Sequence, residues 1–295
     1  MAAQKVFRGY VYSILSAVIY GLMPLMATHI YADGVNAMTL VFLRNFLALP
    51  SLALLAYIES KTLKIKIKPF FSISILSFLG CTITPILLFS SYNYIPSGTA
   101  TIFHFVYPTL VVIIGLVFLK RKMEKATLIS IAFCFVGIAV FYNPQNSFHF
   151  GGAGLALMSG VTFAIYVVLL SKFESLENMG FLFSFYVALW SSIITFVLCV
   201  STNSLLLPQS FDGWLLCALF ALLVTTGAVV LFQQGTFIIG GERSAILSTL
   251  EPITGVVVGI WLLGEKCKLN IILGSVLVLA ASVIITISDI KKQKE

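Results

Sequence analysis

The sequence predicts an all-α membrane protein with ten transmembrane helices, arranged as two inverted repeats of five helices each. Of the 295 residues, 59% are hydrophobic and 10% are charged, and the mean hydropathy is +1.05. A soluble domain carries roughly 25% charged residues. Apolar runs long enough to cross a ~30 Å hydrocarbon layer as helices recur along the whole chain. The second half of the chain also resembles the first, which predicts the repeat.

The apolar runs divide the chain into ten predicted spans joined by short connections. The runs lack the alternation of barrel strands, and only helices or closed barrels satisfy their backbone polar groups in lipid. The first run follows Lys5 and Arg8 and is too long for a cleaved signal sequence, so it is predicted to be an uncleaved anchor. The spans lie near 10–31, 36–58, 70–92, 97–119, 126–142, 153–172, 179–200, 213–235, 242–263 and 269–289.

The basic residues predict how these spans are oriented. With a cytoplasmic N-terminus, 15 of the 18 lysines and arginines fall in cytoplasmic loops. The opposite loops hold only Lys266 and Lys268, and Arg44 lies inside a span. Because positively charged loops stay on the cytoplasmic side of the membrane, both termini are expected to be cytoplasmic. The protein is expected in the cytoplasmic (inner) membrane. The net charge of +7 is therefore a topology signal and does not indicate a nucleic-acid-binding surface.

The internal repeat has an offset of 144 residues. Residues 107–119 align without gaps with residues 251–263, and residues 16–24 align with 159–167 at an offset of 143. The repeat predicts two five-helix domains, 1–145 and 146–295. A unit with an odd number of spans enters the membrane in the opposite sense the second time. Inverted repeats are typical of secondary transporters, whose substrate site lies near the midplane between the two halves.

Several short motifs resemble the EamA family of the drug/metabolite transporter superfamily. They are Leu250–Pro252 with Leu262–Lys266, Phe42–Phe46 on the second span and Phe163–Tyr166 on the sixth. The first half departs from the family pattern, with Lys120-Arg121 where Gly-Glu is frequent and Tyr20-Gly21 where Trp-Gly is frequent. The resemblance implies a ten-helix inner-membrane carrier with a central cavity for amino acids, choline-like amines or other small metabolites.

Three ionisable residues lie inside predicted spans: Glu251, Arg44 and His104. A charge at membrane depth costs at least about 2.5 kcal/mol and usually faces a cavity or a partner. Glu251 could be a neutral carboxyl bonded to backbone groups near Pro252, half of an ion pair, or a cavity carboxylate that binds a proton or an amine. All three residues are therefore candidates for substrate binding or coupling.

Arg44 and His104 each have several interpretations. Arg44 could pair with a carboxylate, bond helix-end carbonyls, meet an anionic substrate group bidentately, or reach the outer surface. His104 is either a satisfied hydrogen-bonding residue or a proton acceptor in proton-coupled transport.

Uncharged polar and aromatic residues supply further candidates. Tyr rings on spans one, four and six could hold an ammonium group by cation–π attraction. Aromatic residues at interface depth are more often membrane anchors. The remaining candidates are Tyr20, Tyr107, Tyr166, Trp190, Gln233, Gln234 and Asn93.

The predicted function is that of a secondary active transporter for a small polar metabolite, with an amino acid or related amine as the first hypothesis. The expected partners are this substrate, the lipid bilayer and protons as a coupling ion, in a monomer or homodimer. No phosphate-binding or metalloprotease motif occurs and the five cysteines are scattered, so no cofactor or metal is expected. The alternatives are a multidrug or organic-cation exporter and, remotely, a membrane-embedded enzyme with His104 as base.

Overall fold

The computed structural model describes residues 2–65, 69–118, 125–140, 149–263 and 269–292. This part of the chain is helical and contains no strand, which confirms the predicted all-α membrane fold. Seven spans are long and apolar enough to cross a membrane, namely Gln4–Ala32, Ala37–Ser60, Phe70–Ser91, Ser97–Gly115, Phe150–Lys172, Phe181–Ser201 and Phe211–Ile239.

The individual helices subdivide these spans. In chain order they are α1 Ala2–Ala32, α2 Ala37–Phe46, α3 Leu49–Ser60, α4 Phe70–Leu76, α5 Thr84–Ser91, α6 Ser97–His104, α7 Tyr107–Phe118, α8 Lys125–Val140, α9 Phe150–Lys172, α10 Phe181–Ser201, α11 Phe211–Phe220, α12 Val230–Ile239, α13 Gly241–Leu247, α14 Leu250–Leu263 and α15 Leu269–Lys292. Two π-helical stretches, Ser77–Ile83 and Ala221–Val229, interrupt the third and eighth spans, and a 3₁₀ turn covers Glu174–Met179.

The fifth predicted span coincides with α8 and the tenth with α15. The ninth corresponds to α13 and α14 together. Within the described residues, none of these reaches the length and hydropathy of the seven long spans. The count of ten transmembrane helices therefore stays a prediction for these three.

Local sequence explains where several helices begin. The Asn36 side chain accepts a hydrogen bond from the Thr39 amide and caps α2, while the Ser210 hydroxyl accepts one from the Gly213 amide and caps α11. Such caps satisfy amide groups that have no partner inside the helix. Pro50 and Pro85 lie in the first turns of α3 and α5, where a missing N–H costs little.

The first helix of each half packs against helices of the other half. Helix α1, the first span of one half, packs against α12 and α14, which belong to the third and fourth spans of the other half. Helix α9, the first span of the second half, packs reciprocally against α5, α6 and α7. Helix α10 packs on α2 and α3, and α15 packs on α8. This arrangement is the one expected of two repeats related by a two-fold axis.

Element boundaries repeat at the same offset of 144 that aligns the two halves. The π-helical stretches begin at Ser77 and Ala221. Helices α2 and α10 begin at residues 37 and 181, and α6 and α13 begin at 97 and 241. The division of the chain at residues 145 and 146 lies outside the described residues, so the domain bounds remain a prediction.

A polar network joins the connection between α1 and α2 to the connection between α10 and α11. The Asp33 carboxylate accepts hydrogen bonds from the amides of Gln209 and Ser210, at 2.9 and 3.2 Å. Asn36 Nδ2 donates to the Ser204 carbonyl at 2.6 Å, and Thr39 donates to the same oxygen at 3.1 Å. The network fixes the distance between two connections that belong to different halves.

We expect Asp33→Asn to lower the thermal unfolding midpoint slightly at neutral pH. Hydrogen bonds from the Ser210 side chain and from the two amides hold the pKa of Asp33 below its ordinary value of 3.8. A lowered folded-state pKa means that the ionised carboxylate stabilises the fold above 3.8, and that this contribution disappears as the pH falls through the lowered value. Unfolding in detergent, followed by intrinsic fluorescence, would measure it. A deficit that stays constant into the acid range would contradict this account.

Candidate functional site

A cavity of about 40 Å³ lies between the two halves. A buried water needs roughly 10–15 Å³ by this kind of measure, so the cavity has room for about three waters or for a comparably small polar group. Residues from α1, α2, α5, α6 and the first π-helical stretch meet residues from α9 and α14. The lining comprises Tyr20, Met23, Arg44, Gly80, Thr84, Pro85, Leu88, Phe89, His104, Phe163 and Glu251.

Two broken helices bring polar residues to this cavity. The fourth span is interrupted between His104, where α6 ends, and Tyr107, where α7 begins. The ninth span is interrupted between α13 and α14, just before Glu251. A proline follows each break, Pro108 and Pro252, and proline can neither donate the helix hydrogen bond nor avoid a clash with the preceding turn. Transporter substrate sites are typically built at such discontinuous helices.

Two glycines let neighbouring helices approach the breaks at backbone distance. A Cβ atom on Gly160 of α9 would lie 2.6 Å from the His104 carbonyl oxygen, and one on Gly21 of α1 would lie 2.7 Å from the Glu251 carbonyl oxygen. Any larger residue would therefore force these helices apart. The first span of each half is thus tightly packed on the broken helix of the other half, and it fixes the positions of His104 and Glu251.

Arg44 reaches the cavity from α2 as a buried cation. Its side chain is 3% exposed, and its Nε has no hydrogen-bond partner among the described residues. The guanidinium carbon lies 5.8 Å from the centroid of the Phe89 ring, and the Cys81 thiol is a further neighbour. The described part of the chain offers Arg44 no carboxylate within ion-pair distance. The guanidinium therefore retains donors for an anionic group.

Glu251 enters the same cavity from α14. Its side chain is 5% exposed, and the structure records no hydrogen bond or ion pair for its carboxylate with any described residue. Tyr20 lies within electrostatic range of both Arg44 and Glu251. The cavity thus contains a cation and a carboxylate that are not bonded to each other, with a tyrosine near both.

His104 is held by a hydrogen-bond chain to α9. Its Nδ1 lies 2.8 Å from the Ser159 hydroxyl, which donates to the Ala156 carbonyl at 2.6 Å. The imidazole also packs against the rings of Tyr107 and Phe163, with centroids at 5.3 and 5.4 Å. The Nδ1 edge of the ring is therefore held by Ser159, and the opposite edge faces the cavity.

The cavity brings together four of the ten sequence-predicted site residues: Tyr20, Arg44, His104 and Glu251. Tyr107 lies directly behind this lining, 1% exposed and edge-on to Phe163 at 4.7 Å. Its neighbours include the charge of Glu251 and the Ser248 side chain. Tyr107 therefore packs behind the lining residues and is not itself part of the lining.

The other five predicted residues do not line the cavity, although Tyr166 stacks on the lining residue Phe163 with ring centroids at 5.5 Å. Tyr166 accepts a hydrogen bond from Gln233 Nε2 at 3.1 Å, and the Ser184 hydroxyl donates to Gln233 Oε1 at 2.6 Å. This buried network satisfies both Gln233 groups inside the protein. Gln234 is half-buried on α12, and Asn93 is exposed in the turn after α5. Trp190 is half-buried and edge-on to the Phe70 ring at 5.1 Å.

The structure adds lining residues that the sequence reasoning did not select. Thr84 begins α5 directly after a π-helical stretch, and its hydroxyl lies 2.7 Å from that of Thr162. Phe163 belongs to the motif Phe163–Tyr166, which could have singled it out, whereas Phe89 and Leu88 look like any apolar helix residues. The family-like residues Gly264–Lys266 and Lys120-Arg121 lie outside the described residues. Where side chains are described, no three His, Cys, Asp or Glu residues converge as a metal site would require.

Comparison with known proteins places the whole chain in context. The model of the EamA-like transporter family matches residues 7–143 and 150–287, once for each half. An uncharacterized transporter from Clostridium kluyveri is 22% identical over 94% of this chain and 92% of its own length. The uncharacterized inner membrane transporter YicL from Salmonella typhimurium is 22% identical over 76% of this chain and 75% of its own length. A solved crystal structure superimposes with a TM-score of 0.67 at 16% identity, over 94% of this chain and 98% of the other, and it supports the fold alone.

Proposed function

This chain belongs to the EamA-like transporter family, and on that premise we propose that it is a secondary active transporter for a small polar amine, specifically a zwitterionic amino acid. The family and the names of the relatives point to transport rather than to catalysis. The proposal concerns the substrate class, the coupling and the mechanism.

The observation that carries the proposal is the pair Arg44 and Glu251. Each is nearly fully buried and lines one cavity, and among the described residues neither forms an ion pair. A buried charge that lacks a partner is costly in a membrane, so each group is expected to receive one from the substrate. A guanidinium binds a carboxylate bidentately, and a carboxylate binds an ammonium group. A zwitterion satisfies both at once.

Arg44 favours this substrate over the multidrug or organic-cation alternative. An exporter of bulky cations would leave a buried guanidinium at the cavity without a role. The aromatic residues Tyr20, Phe89 and Phe163 suit an ammonium group of either class, so the discrimination depends on Arg44.

Protons are the coupling ion in this proposal. Glu251 is buried among rings and aliphatic side chains, where an ionised carboxylate requires a cation beside it. Either a proton or the ammonium group of the substrate supplies that positive charge, and the two exclude each other at one carboxylate. Glu251 therefore binds either the substrate or a proton, but not both at once. Because the site opens alternately to each side of the membrane, the protein exchanges substrate for proton.

Alternating access is the proposed mechanism, with the two five-helix halves moving about the cavity. The positions of the broken helices at the same point of each repeat support it. The distribution of lysine and arginine supports an orientation with both termini in the cytoplasm. The protein is proposed to work in the inner membrane, as a monomer or a homodimer.

The test is transport by purified protein reconstituted in liposomes. The expected result is saturable uptake of at least one amino acid from a panel, driven by a proton gradient. Matched panels of decarboxylated amines and of large organic cations separate the alternatives. Absence of saturable flux for every amino acid would overturn the proposal, including the case in which only decarboxylated amines are taken up. Uptake confined to large cations, together with a resistance profile in a sensitive host, would establish the exporter instead.

A further inference from the structure

His104 offers the cavity a hydrogen-bond acceptor, because Ser159 occupies its other nitrogen. Ser159 has one hydroxyl proton, and it donates that proton to the Ala156 carbonyl at 2.6 Å. The Ser159 oxygen is therefore left to accept from the imidazole, whose Nδ1 lies 2.8 Å away. A neutral imidazole carries one N–H, and here that N–H is at Nδ1. The lone pair is consequently at Nε2.

No described residue forms a hydrogen bond with Nε2, although His104 is 5% exposed and lines the cavity. The imidazole cannot turn over to present its N–H instead, because the rings of Tyr107 and Phe163 pack against it. The backbone beneath it is fixed as well, since α9 approaches the His104 carbonyl at Gly160. Nε2 is not one of the fully enclosed, unpaired polar atoms of the described chain, so it faces the cavity, where a ligand with an N–H group can donate a hydrogen bond to it.

We propose that His104 Nε2 is a second acceptor for the substrate ammonium group, beside Glu251, and that the site therefore selects amines that carry N–H groups. This inference rests on the proposed function and extends it to the amine end of the substrate. An acceptor lone pair gains nothing from a quaternary ammonium group, which has no N–H to donate. A carboxylate and a set of aromatic rings attract both kinds of cation through the positive charge, so a second acceptor at His104 Nε2 strengthens the preference for amines that carry N–H groups.

Glycine and its N-methylated series test the proposal, because all four molecules share one carboxylate. The purified protein is titrated with glycine, N-methylglycine, N,N-dimethylglycine and N,N,N-trimethylglycine, and affinity is measured from the rise in unfolding temperature. Wild-type protein is expected to bind glycine most tightly and the trimethyl compound about 10- to 100-fold more weakly, the range of one or two hydrogen bonds to a charged group.

His104 variants separate hydrogen bonding from simple crowding by methyl groups. His104→Asn keeps an amide N–H near Nδ1 for Ser159 but has no group at Nε2, so glycine is expected to weaken about 10-fold while the trimethyl compound does not change. His104→Gln places its amide near Nε2 and should recover part of the preference. Ser159→Ala frees the tautomer of the imidazole and should reduce the preference without removing it.

The outcomes distinguish this inference from the proposed function. Equal affinity of wild-type protein for glycine and the trimethyl compound overturns the inference and leaves the zwitterion site intact. An unchanged preference in His104→Asn does the same, because crowding or Glu251 alone then explains the discrimination. If none of the four molecules binds, the small-zwitterion proposal fails, and the role of His104 fails with it.

Discussion

Arg44→Gln is expected to weaken binding of a zwitterionic substrate by at least about 30-fold. Removing one partner of a buried charge pair costs about 2–5 kcal/mol, and Arg44 is the guanidinium that the cavity presents without a carboxylate of its own. Glutamine can donate a hydrogen bond, but it has no charge and no bidentate fork. The affinity is measured by titration of the detergent-solubilised protein and by the Michaelis constant for liposome uptake.

Two controls make the Arg44 prediction specific for the carboxylate. Arg44→Lys keeps the charge without the planar pair of donors, so its affinity should fall between those of the parent and the glutamine variant. The decarboxylated amine of the same substrate should bind parent and Arg44→Gln with similar affinity. If the amine loses as much affinity as the amino acid, Arg44 supports the structure of the cavity and does not bind the substrate.

Glu251→Gln is expected to abolish the dependence of net uptake on the proton gradient. One proton carried per substrate contributes about 1.36 kcal/mol for each pH unit, which corresponds to tenfold accumulation. Glutamine cannot exchange a proton for an ammonium group, so this accumulation should disappear. The amide oxygen still accepts a hydrogen bond, so exchange of internal for external substrate should continue, with an affinity reduced by at least about 30-fold, as for Arg44→Gln.

The comparison of net uptake with exchange in the same liposomes checks this prediction. Glu251→Asp keeps the carboxylate and should keep the response to the gradient, even if the shorter side chain lowers the rate. Equal loss of net uptake and of exchange in Glu251→Gln would show that Glu251 is needed for packing or binding, and that the proton is carried elsewhere. The equivalent position in the first repeat is Tyr107, so the first half supplies no second carboxylate there.

The two variants address the two charged groups of the same cavity. Arg44→Gln should affect affinity at every pH, whereas Glu251→Gln should change how affinity responds to pH. Tyr20 lies near both charges, and neither variant changes this ring. The two effects are therefore expected to be distinguishable in one set of titrations.

Several features of this protein can be predicted from its amino-acid sequence alone. Composition and the length of the apolar runs predict a helical membrane protein, because lipid permits few backbone arrangements. The repeat predicts a two-fold arrangement, and the reciprocal packing of α1 and α9 against the other half agrees with it. Glu251, Arg44 and His104 can be selected as candidates because ionisable residues are costly in hydrocarbon.

Other features cannot be predicted in the same way. Gln233 and Tyr166 are as suitable for the cavity by residue type as Tyr20, yet Gln233 donates to Tyr166 and accepts from Ser184. The π-helical stretches at Ser77–Ile83 and Ala221–Val229 contain no proline or charge that would indicate them. Thr84, Phe89 and Leu88 line the cavity although their types are common on every helix of the chain.

The sequence by itself thus determined the class of protein, its division into related halves and the small set of ionisable groups that lie at membrane depth. Only the tertiary structure decided which of these groups share a cavity and which are satisfied by neighbours. The reason is that the cost of placing a polar group in lipid depends on residue type and depth, which a sequence contains. The partner that offsets this cost depends on how each helix is rotated and which helices it contacts. In this chain the close approaches at Gly21 and Gly160 fix the rotation and the contacts of the helices beside Glu251 and His104.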